Sequence, residues 1–331
     1  MGSSPSPSSA PSAAFLAAFR TVAGPGETLR FDEFMDLALY HPTLGYYRRE
    51  GARVGYGAGT DFFTSSTSGP IFGELIVAAC ATLLAGRSLR DFTFVEIGAE
   101  PSGGILAGVK HPFARAETFR VGDPVELTGN CVVFSNELFD AQPFRRFIFK
   151  NRAWRELGVA VRETTFVQVA LADSELPPAL PSSAPEDYVI DAPLAAAELA
   201  RQIASQRWSG LFLACDYGKS WAELIEATPS GTARAYFQHT QSNELLARPG
   251  EQDLTCHVCW DWLDNALRET GFAASTVESQ ESFFIKHAGK FIEATTAAEA
   301  AHFSRKKLSL LQLLHPSHLG QKFQVLHARR I

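Results

Sequence analysis

Strands alternating with helices along this chain predict an α/β protein, and three observations carry that prediction. Short apolar runs at Phe92, Phe94, Val95 and Ile97, at Cys131-Val132-Val133-Phe134 and at Leu211 to Cys215 read as buried strands. Segments between and around them repeat apolar residues at three- and four-residue spacing, as helices do. Each of the three strands also ends in a polar cluster: Glu96-x-Gly98, Asn136-Glu137-x-x-Asp140 and Asp216-Tyr217-Gly218. In a parallel sheet those ends line one rim, the edge at which open α/β sheets bind ligands.

Taken in order, the elements follow from periodicity and punctuation. The first dozen residues, MGSSPSPSSAPS, carry neither a signal-peptide pattern nor the arginines of a transit peptide, and read as a disordered tail. From Ala13 to Leu44 the spacing is helical (Phe15 with Phe19; Phe31, Phe34, Met35, Ala38), and His41-Pro42 stops the second helix. The glycine- and aromatic-rich stretch 45–70 is long and aperiodic, which predicts an ordered functional loop. Ile71 to Leu84 predicts an amphipathic helix with Pro70 at its start. Arg145 to Val169 alternates like antiparallel strands, with Trp154 and Phe166 as packing anchors. Pro177 to Pro185 reads as a surface linker, Pro193 to Gln206 as a helix, and Trp260 to Thr270 as a helix closed by Gly271. Two late strands are expected near Ser282 to Lys286 and Phe323 to Ala328. The domains so predicted are a tail over 1–12, a helical N-terminal region over 13–90, and a core over 91–331 with an antiparallel insertion around 145–190.

Composition narrows the function. Hydrophobic residues make up 46% and charged residues 20%, ordinary values for a globular protein with a real core. A net charge of −6 argues against non-specific nucleic-acid binding, which needs a basic surface. No apolar run is long enough for a transmembrane helix. The cysteines, Cys80, Cys131, Cys215, Cys256 and Cys259, are an odd and scattered set, for which a reducing cytoplasm is the expected setting.

The stretch FVEIGAEPSGGIL, Phe94 to Leu106, feeds a buried strand into a small-residue loop. Gly98 is followed by Ala99 and Glu100, so the G-x-G-x-x-G dinucleotide fingerprint fails, and Gly103-Gly104 is followed by Ile105, so the P-loop fails too. A nicotinamide oxidoreductase is disfavoured on that spacing. Glu96 starts the pocket with a negative charge and favours a ligand with a cationic end. Cys256-x-x-Cys259 has no second ligand pair at zinc spacing and reads as structural. His41 and His239 read as hydrogen-bonded structural residues rather than bases, and Lys306-Lys307 as a solvated helix face. Ser65, Ser66 and Ser68 have no His/Asp partners for a hydrolase triad. Asp216 fits a site role and a turn role equally.

A set of ordered blocks goes further than any of these: FMDLALYHPTLGYY, GTDFFTS, FGELI, NELFDAQPFRRF, WRELGV, DYG, GTARAYFQH, PGEQDLTCHV and LLHPSHLGQKFQVL. Together, from about Phe31 to the C-terminus, they resemble the MidA-like S-adenosylmethionine-dependent methyltransferases, a family that includes a mitochondrial complex I assembly factor acting on a protein arginine. The resemblance implies a class I methyltransferase fold. That fold is Rossmann-like, with a seven-stranded, mostly parallel sheet whose last strand is antiparallel, joined here by a helical N-terminal region and an antiparallel insertion. It implies S-adenosylmethionine as cofactor, contacted by Glu96, Gly98, Gly103 and Gly104, with Gly59, Asp61, Phe62, Thr64 and Glu74 closing over it. Asn136, Glu137 and Asp140 would face the methyl acceptor, a protein substrate such as an arginine on a respiratory-complex subunit.

Two departures from the family fall at the cofactor end. Ala99-Glu100-Pro101-Ser102 replaces a tighter glycine loop, and the segment from Leu106 to Asn130 is short, losing the helix after the loop. The acid that binds the cofactor's ribose has no clear counterpart; Glu117 and Asp123 are the candidates. If a helical turn begins after Asn136, Glu137 and Asp140 can point together and grip a guanidinium. The alternative is that Glu137 caps the turn and Asp140 is solvated. A family member that keeps the fold as a binding or assembly factor is the other functional reading.

Overall fold

Strand register in the core follows the period-two alternation of its apolar runs. The computed structural model describes residues 11–49, 60–61, 65–101, 103–172, 174–177, 179–300 and 304–330. Strands Thr93–Ile97, Gly129–Asn136 and Trp208–Asp216 lie side by side and parallel. Alternate residues of each go to opposite faces. Phe94, Val132, Phe134, Leu211 and Leu213 pack on one face, against helices Pro70–Leu83, Gln280–Ala298 and Arg305–Leu314. Val95, Ile97, Val133, Phe212 and Ala214 pack on the other, against helices Leu194–Ala204 and Trp260–Glu269. A sheet buried on both faces explains why these strands read as continuous apolar runs.

The described sheet has six strands, one fewer than the resemblance implies. From one edge to the other they are Thr276–Ser279, Gln324–Arg330, 208–216, 129–136, 93–97 and Arg115–Phe119. The Gln324–Arg330 strand runs antiparallel to both of its neighbours. Among the described residues, no helix stands between 97 and 115 or between 119 and 129. The parallel strand 115–119 is nonetheless kept as an edge, with much of its surface exposed.

The chain divides into two units, one of Met1–Gly51, Ala141–Ala195 and Trp221–His257, the other of Ala52–Asp140, Ala196–Ser220 and Val258–Ile331. The sheet just described belongs to the second. In the first, helices Ala13–Ala23 and Phe31–Tyr40 share a unit with antiparallel strands Arg145–Lys150, Ala153–Arg162, Thr165–Ala170 and Val189–Ala192. Phe166 packs edge-on against Phe15 and Phe34 and tilts over Phe19, so it is an anchor. Trp154 donates its indole N–H to the Pro181 carbonyl at 2.7 Å, which ties the proline-rich segment to the strands.

The stretch Ser282 to Lys286, expected as a strand, is the first part of helix Gln280–Ala298. Its Ser279 cap accepts the Ser282 N–H, and Phe283 and Phe284 are both buried, which a strand with one buried face would not allow. The strand lies just before it, at 276–279. Among the described residues no helix is long and apolar enough to cross a membrane.

Candidate active site at the sheet rim

The carboxyl ends of strands 93–97, 129–136 and 208–216 stop at one level. Ile97 is in register with Ser135, and Asn136 with Cys215. Two segments of different construction leave this rim.

The loop after 93–97 is held by its own groups and by the end of the edge strand beside it. Glu96 is buried, and its Oε2 accepts the Ile105 N–H at 2.7 Å. Burial pushes the Glu96 carboxyl up to about 7, against the lowering effect of that bond. A Cβ on Gly104 would meet Glu96 Oε2 at 2.4 Å and Thr118 at 2.7 Å, so only glycine allows this approach. Gly98 and Gly103 both take positive φ, 84° and 119°. The N–H groups of Gly98 and Ala99 donate to the Phe119 carbonyl, and Glu100 bridges Gly103. On helix 70–83, a Cβ at Gly73 would lie 2.2 Å from the Ile105 carbonyl oxygen, so the loop rests directly on that helix.

Neither candidate for the ribose acid stands at a strand end facing the loop. Glu117 lies within strand 115–119 and pairs with Arg115 at 2.9 Å, and Asp123 closes a turn by accepting the Arg120 N–H. The residue just beyond strand 115–119 is Arg120, whose guanidinium donates to the Pro101 carbonyl at 2.9 Å.

The segment after 129–136 is held by a buried carboxylate instead. Asp216, fully buried, accepts the N–H groups of Phe139 (2.9 Å) and Asp140 (3.4 Å) on Oδ2 and that of Tyr217 (2.9 Å) on Oδ1. Burial raises its carboxyl to about 7, opposed by those backbone donors. Of the two roles the sequence left open for Asp216, this is the turn role, and it positions the candidate site residues. No helix begins after Asn136, contrary to the helical turn considered for Glu137 and Asp140; the segment is an irregular turn. Glu137 takes a left-handed φ of 51°, a strained conformation for a side-chain-bearing residue. Its N–H donates to the Cys215 carbonyl, and its Oε1 accepts the Asn136 amide at 3.0 Å. Asp140 is buried rather than solvated. Ser135 Oγ and Asn136 Oδ1 are buried with no hydrogen-bond partner among the described residues. Buried polar atoms left this way are costly, and they are candidates for contact with a ligand.

The remaining sequence candidates scatter. Gly59, Phe62 and Thr64 lie outside the described residues. Asp61 is half-buried, and Glu74, on helix 70–83, is ion-paired with Lys306 at 2.7 Å, so Lys306 is not simply solvated. His41 caps a turn by accepting the Thr43 and Leu44 N–H groups on Nδ1. Residues 238–239 take φ of 47° and 60° at the tip of a hairpin, which places His239 in a two-residue turn. Cys256 and Cys259 are both buried. What the sequence missed was the positioning by Asp216. The signal was its place at the end of a buried strand beside a second acidic cluster.

A family model described as S-adenosyl-L-methionine-dependent methyltransferase matches residues 114–277. The mitochondrial protein arginine methyltransferase NDUFAF7 of Danio rerio is 25% identical over 356 residues, covering 88% of this chain and 81% of that protein. The Mus musculus protein of the same name is also 25% identical, over 88% of this chain and 78% of its own length. Among solved structures, a Burkholderia thailandensis protein bound to S-adenosyl-homocysteine superposes with a TM-score of 0.81 at 22% identity, covering 96% of this chain and 92% of that one. A native crystal structure from the same organism gives 0.76 at 22% identity, over 96% and 91%. The class of protein is thus an S-adenosylmethionine-dependent methyltransferase. Within that class, the relatives and solved structures it matches make the chain similar to the MidA-like family.

Proposed function

We propose that this chain methylates a protein side chain, with an arginine guanidinium as the acceptor. The observation that carries the reading is the turn after strand 129–136. There Asp216 holds Phe139 and Asp140, Glu137 donates its N–H to the Cys215 carbonyl, and the strand end carries two buried polar atoms, Ser135 Oγ and Asn136 Oδ1, that lack partners among the described residues. The sheet supports it as well: the order 276–279, 324–330, 208–216, 129–136, 93–97, 115–119, with its antiparallel strand 324–330, is compatible with a class I methyltransferase sheet that has one strand fewer. The relatives' names, which specify a protein arginine methyltransferase, support the acceptor class. A respiratory-complex subunit is the kind of protein the resemblance suggests.

The rim fits the cofactor at one end more closely than at the other. Glu96, Ser135 Oγ and Asn136 Oδ1 offer acceptors to a ligand with a cationic end. Arg120 offers donors where open α/β sheets usually place an acid for the ribose, and ribose hydroxyls accept as well as donate. S-adenosylmethionine, when bound, supplies an electrophilic methyl group. The chain's own contribution is alignment. An arginine pKa above about 12 makes prior deprotonation costly, so Glu137 and Asp140 orient the charged guanidinium through charge-assisted hydrogen bonds, and one of these carboxylates takes the proton that the attacked nitrogen sheds as the methyl group arrives. Holding it in line needs no covalent help from the protein.

Calorimetry with S-adenosylmethionine, together with a labelled-methyl transfer assay on arginine-bearing protein, tests this. The expected result is cofactor binding, label on arginine, and a loss of transfer of roughly 100-fold in Glu137→Gln with cofactor affinity kept. Label on another residue type overturns the acceptor class. No heat at high cofactor concentration favours the second reading, a binding or assembly factor that keeps the fold. The engaged Glu96, bonded to the Ile105 N–H, and Arg120, bonded to the Pro101 carbonyl, are the observations on that side.

A further inference from the structure

We propose that Glu278, His287 and His327 form a binding site for one divalent transition-metal ion of the zinc class, separate from the rim. Glu278 lies on 276–279, the edge strand of the sheet, and His327 on its antiparallel neighbour. Glu278 is in register with Val325 and Thr276 with His327, so Glu278 and His327 are diagonal neighbours on one face. His287 comes from helix 280–298, which starts directly after the edge strand.

The three side chains converge on a single point. Both imidazoles direct Nε2 at the same carboxylate oxygen, Glu278 Oε2, from 2.9 Å (His287) and 3.2 Å (His327). All three ligand atoms lie within 4.8 Å of one another. Donors bound to one zinc ion at about 2.0–2.1 Å sit roughly 3.0–3.4 Å apart, close to the two carboxylate–imidazole separations here, and the third pair lies within 4.8 Å. Two imidazoles and a carboxylate are the ligand set of catalytic zinc sites and of the facial triad that holds ferrous iron.

The surroundings hold the ligands in place. Glu278 is 8% exposed, and the side chains of His287 and His327 are 17% and 12% exposed, which leaves one side open for water as a further ligand. Lys286 Nζ donates to Oε1 of Glu278 and leaves Oε2 as the oxygen offered to both rings. Such an outer partner fixes how a carboxylate is presented. The buried Phe283 ring packs against His287 at 5.1 Å and His327 at 5.7 Å between centroids, setting the orientation of both. An ion takes the Nε2 lone pairs, so each neutral imidazole then carries its proton on Nδ1. It would clip the edge strand and its neighbour to the helix that follows.

The test uses the full chain, stripped with a chelator and dialysed against zinc and, separately, cobalt(II). The expected result is one ion per chain, a thermal unfolding midpoint raised by zinc without added cofactor, and a cobalt spectrum free of thiolate charge-transfer bands. His287→Gln, on the helix surface and so least disruptive to folding, should weaken binding roughly 100-fold or more with the circular dichroism unchanged. His327→Gln should do the same. Binding that persists in both variants, a thiolate band, or no bound ion at saturating zinc overturns the proposal.

Discussion

The two segments that leave the sheet rim solve the same problem in opposite ways. The loop after strand 93–97 engages its polar groups within itself and with the end of the neighbouring edge strand, where Gly98 and Ala99 donate to the Phe119 carbonyl. Glu96 is bound to the loop's own Ile105 N–H, Gly104 presses on Glu96, and Arg120 closes on Pro101. The turn after strand 129–136 is held from outside by Asp216 and leaves Ser135 Oγ and Asn136 Oδ1 buried without partners among the described residues. A segment pinned by another strand's carboxylate can keep its own side chains for a ligand. A segment that folds by its own side chains has fewer to offer.

Removing the external pin should have the largest effect. Asp216→Ala leaves buried N–H groups of Phe139, Asp140 and Tyr217 without their acceptor, and should cost about 3–5 kcal/mol in urea unfolding. A cost under about 1 kcal/mol would mean the turn holds itself, and the contrast would fail. The pH profile tests the other segment. A carboxyl whose folded-state pKa is raised gives stability that is complete below its unfolded value and lost as pH rises through the folded one. For Glu96 the ordinary value is 4.5 and the raised one about 7. Stability should therefore fall between pH 5 and pH 8, by up to about 3 kcal/mol from this group, with Asp216 acting in the same direction. Glu96→Gln should flatten part of that slope; an unchanged slope would show that Glu96 is not the titrating group. The smallest effect is expected from Gly104→Ala. Its methyl group would collide with Glu96 Oε2 and Thr118, at a cost of about 1–3 kcal/mol by chemical denaturation. A neutral result would mean that the loop yields easily.

Much of this was legible in the chain itself, for identifiable reasons. Val132, Val133 and Phe134 announced a buried strand because a sheet covered on both faces needs apolar side chains on both. Asn136, Glu137 and Asp140 were legible as a rim cluster because they directly follow such a strand. The helical reach assumed for Glu137 and Asp140 was not legible, since Asp216, distant in sequence, imposes an irregular turn. Ser282 to Lys286 was misread because an apolar run of that length suits strand and helix alike. The Ser279 cap and the paired burial of Phe283 and Phe284 decide for the helix.

The amino-acid sequence by itself determined the alternation of strands and helices, the family resemblance and the identity of the rim residues, because periodicity, punctuation and ordered blocks are local properties of a chain. Only the tertiary structure decided that Glu96 is turned inward on its own loop and that Arg120 follows the edge strand where an acid was expected. It alone brought Glu278, His287 and His327 to one point. Strand register and helix packing set those distances, and both come from burial summed over the whole sheet rather than from any stretch that can be read alone.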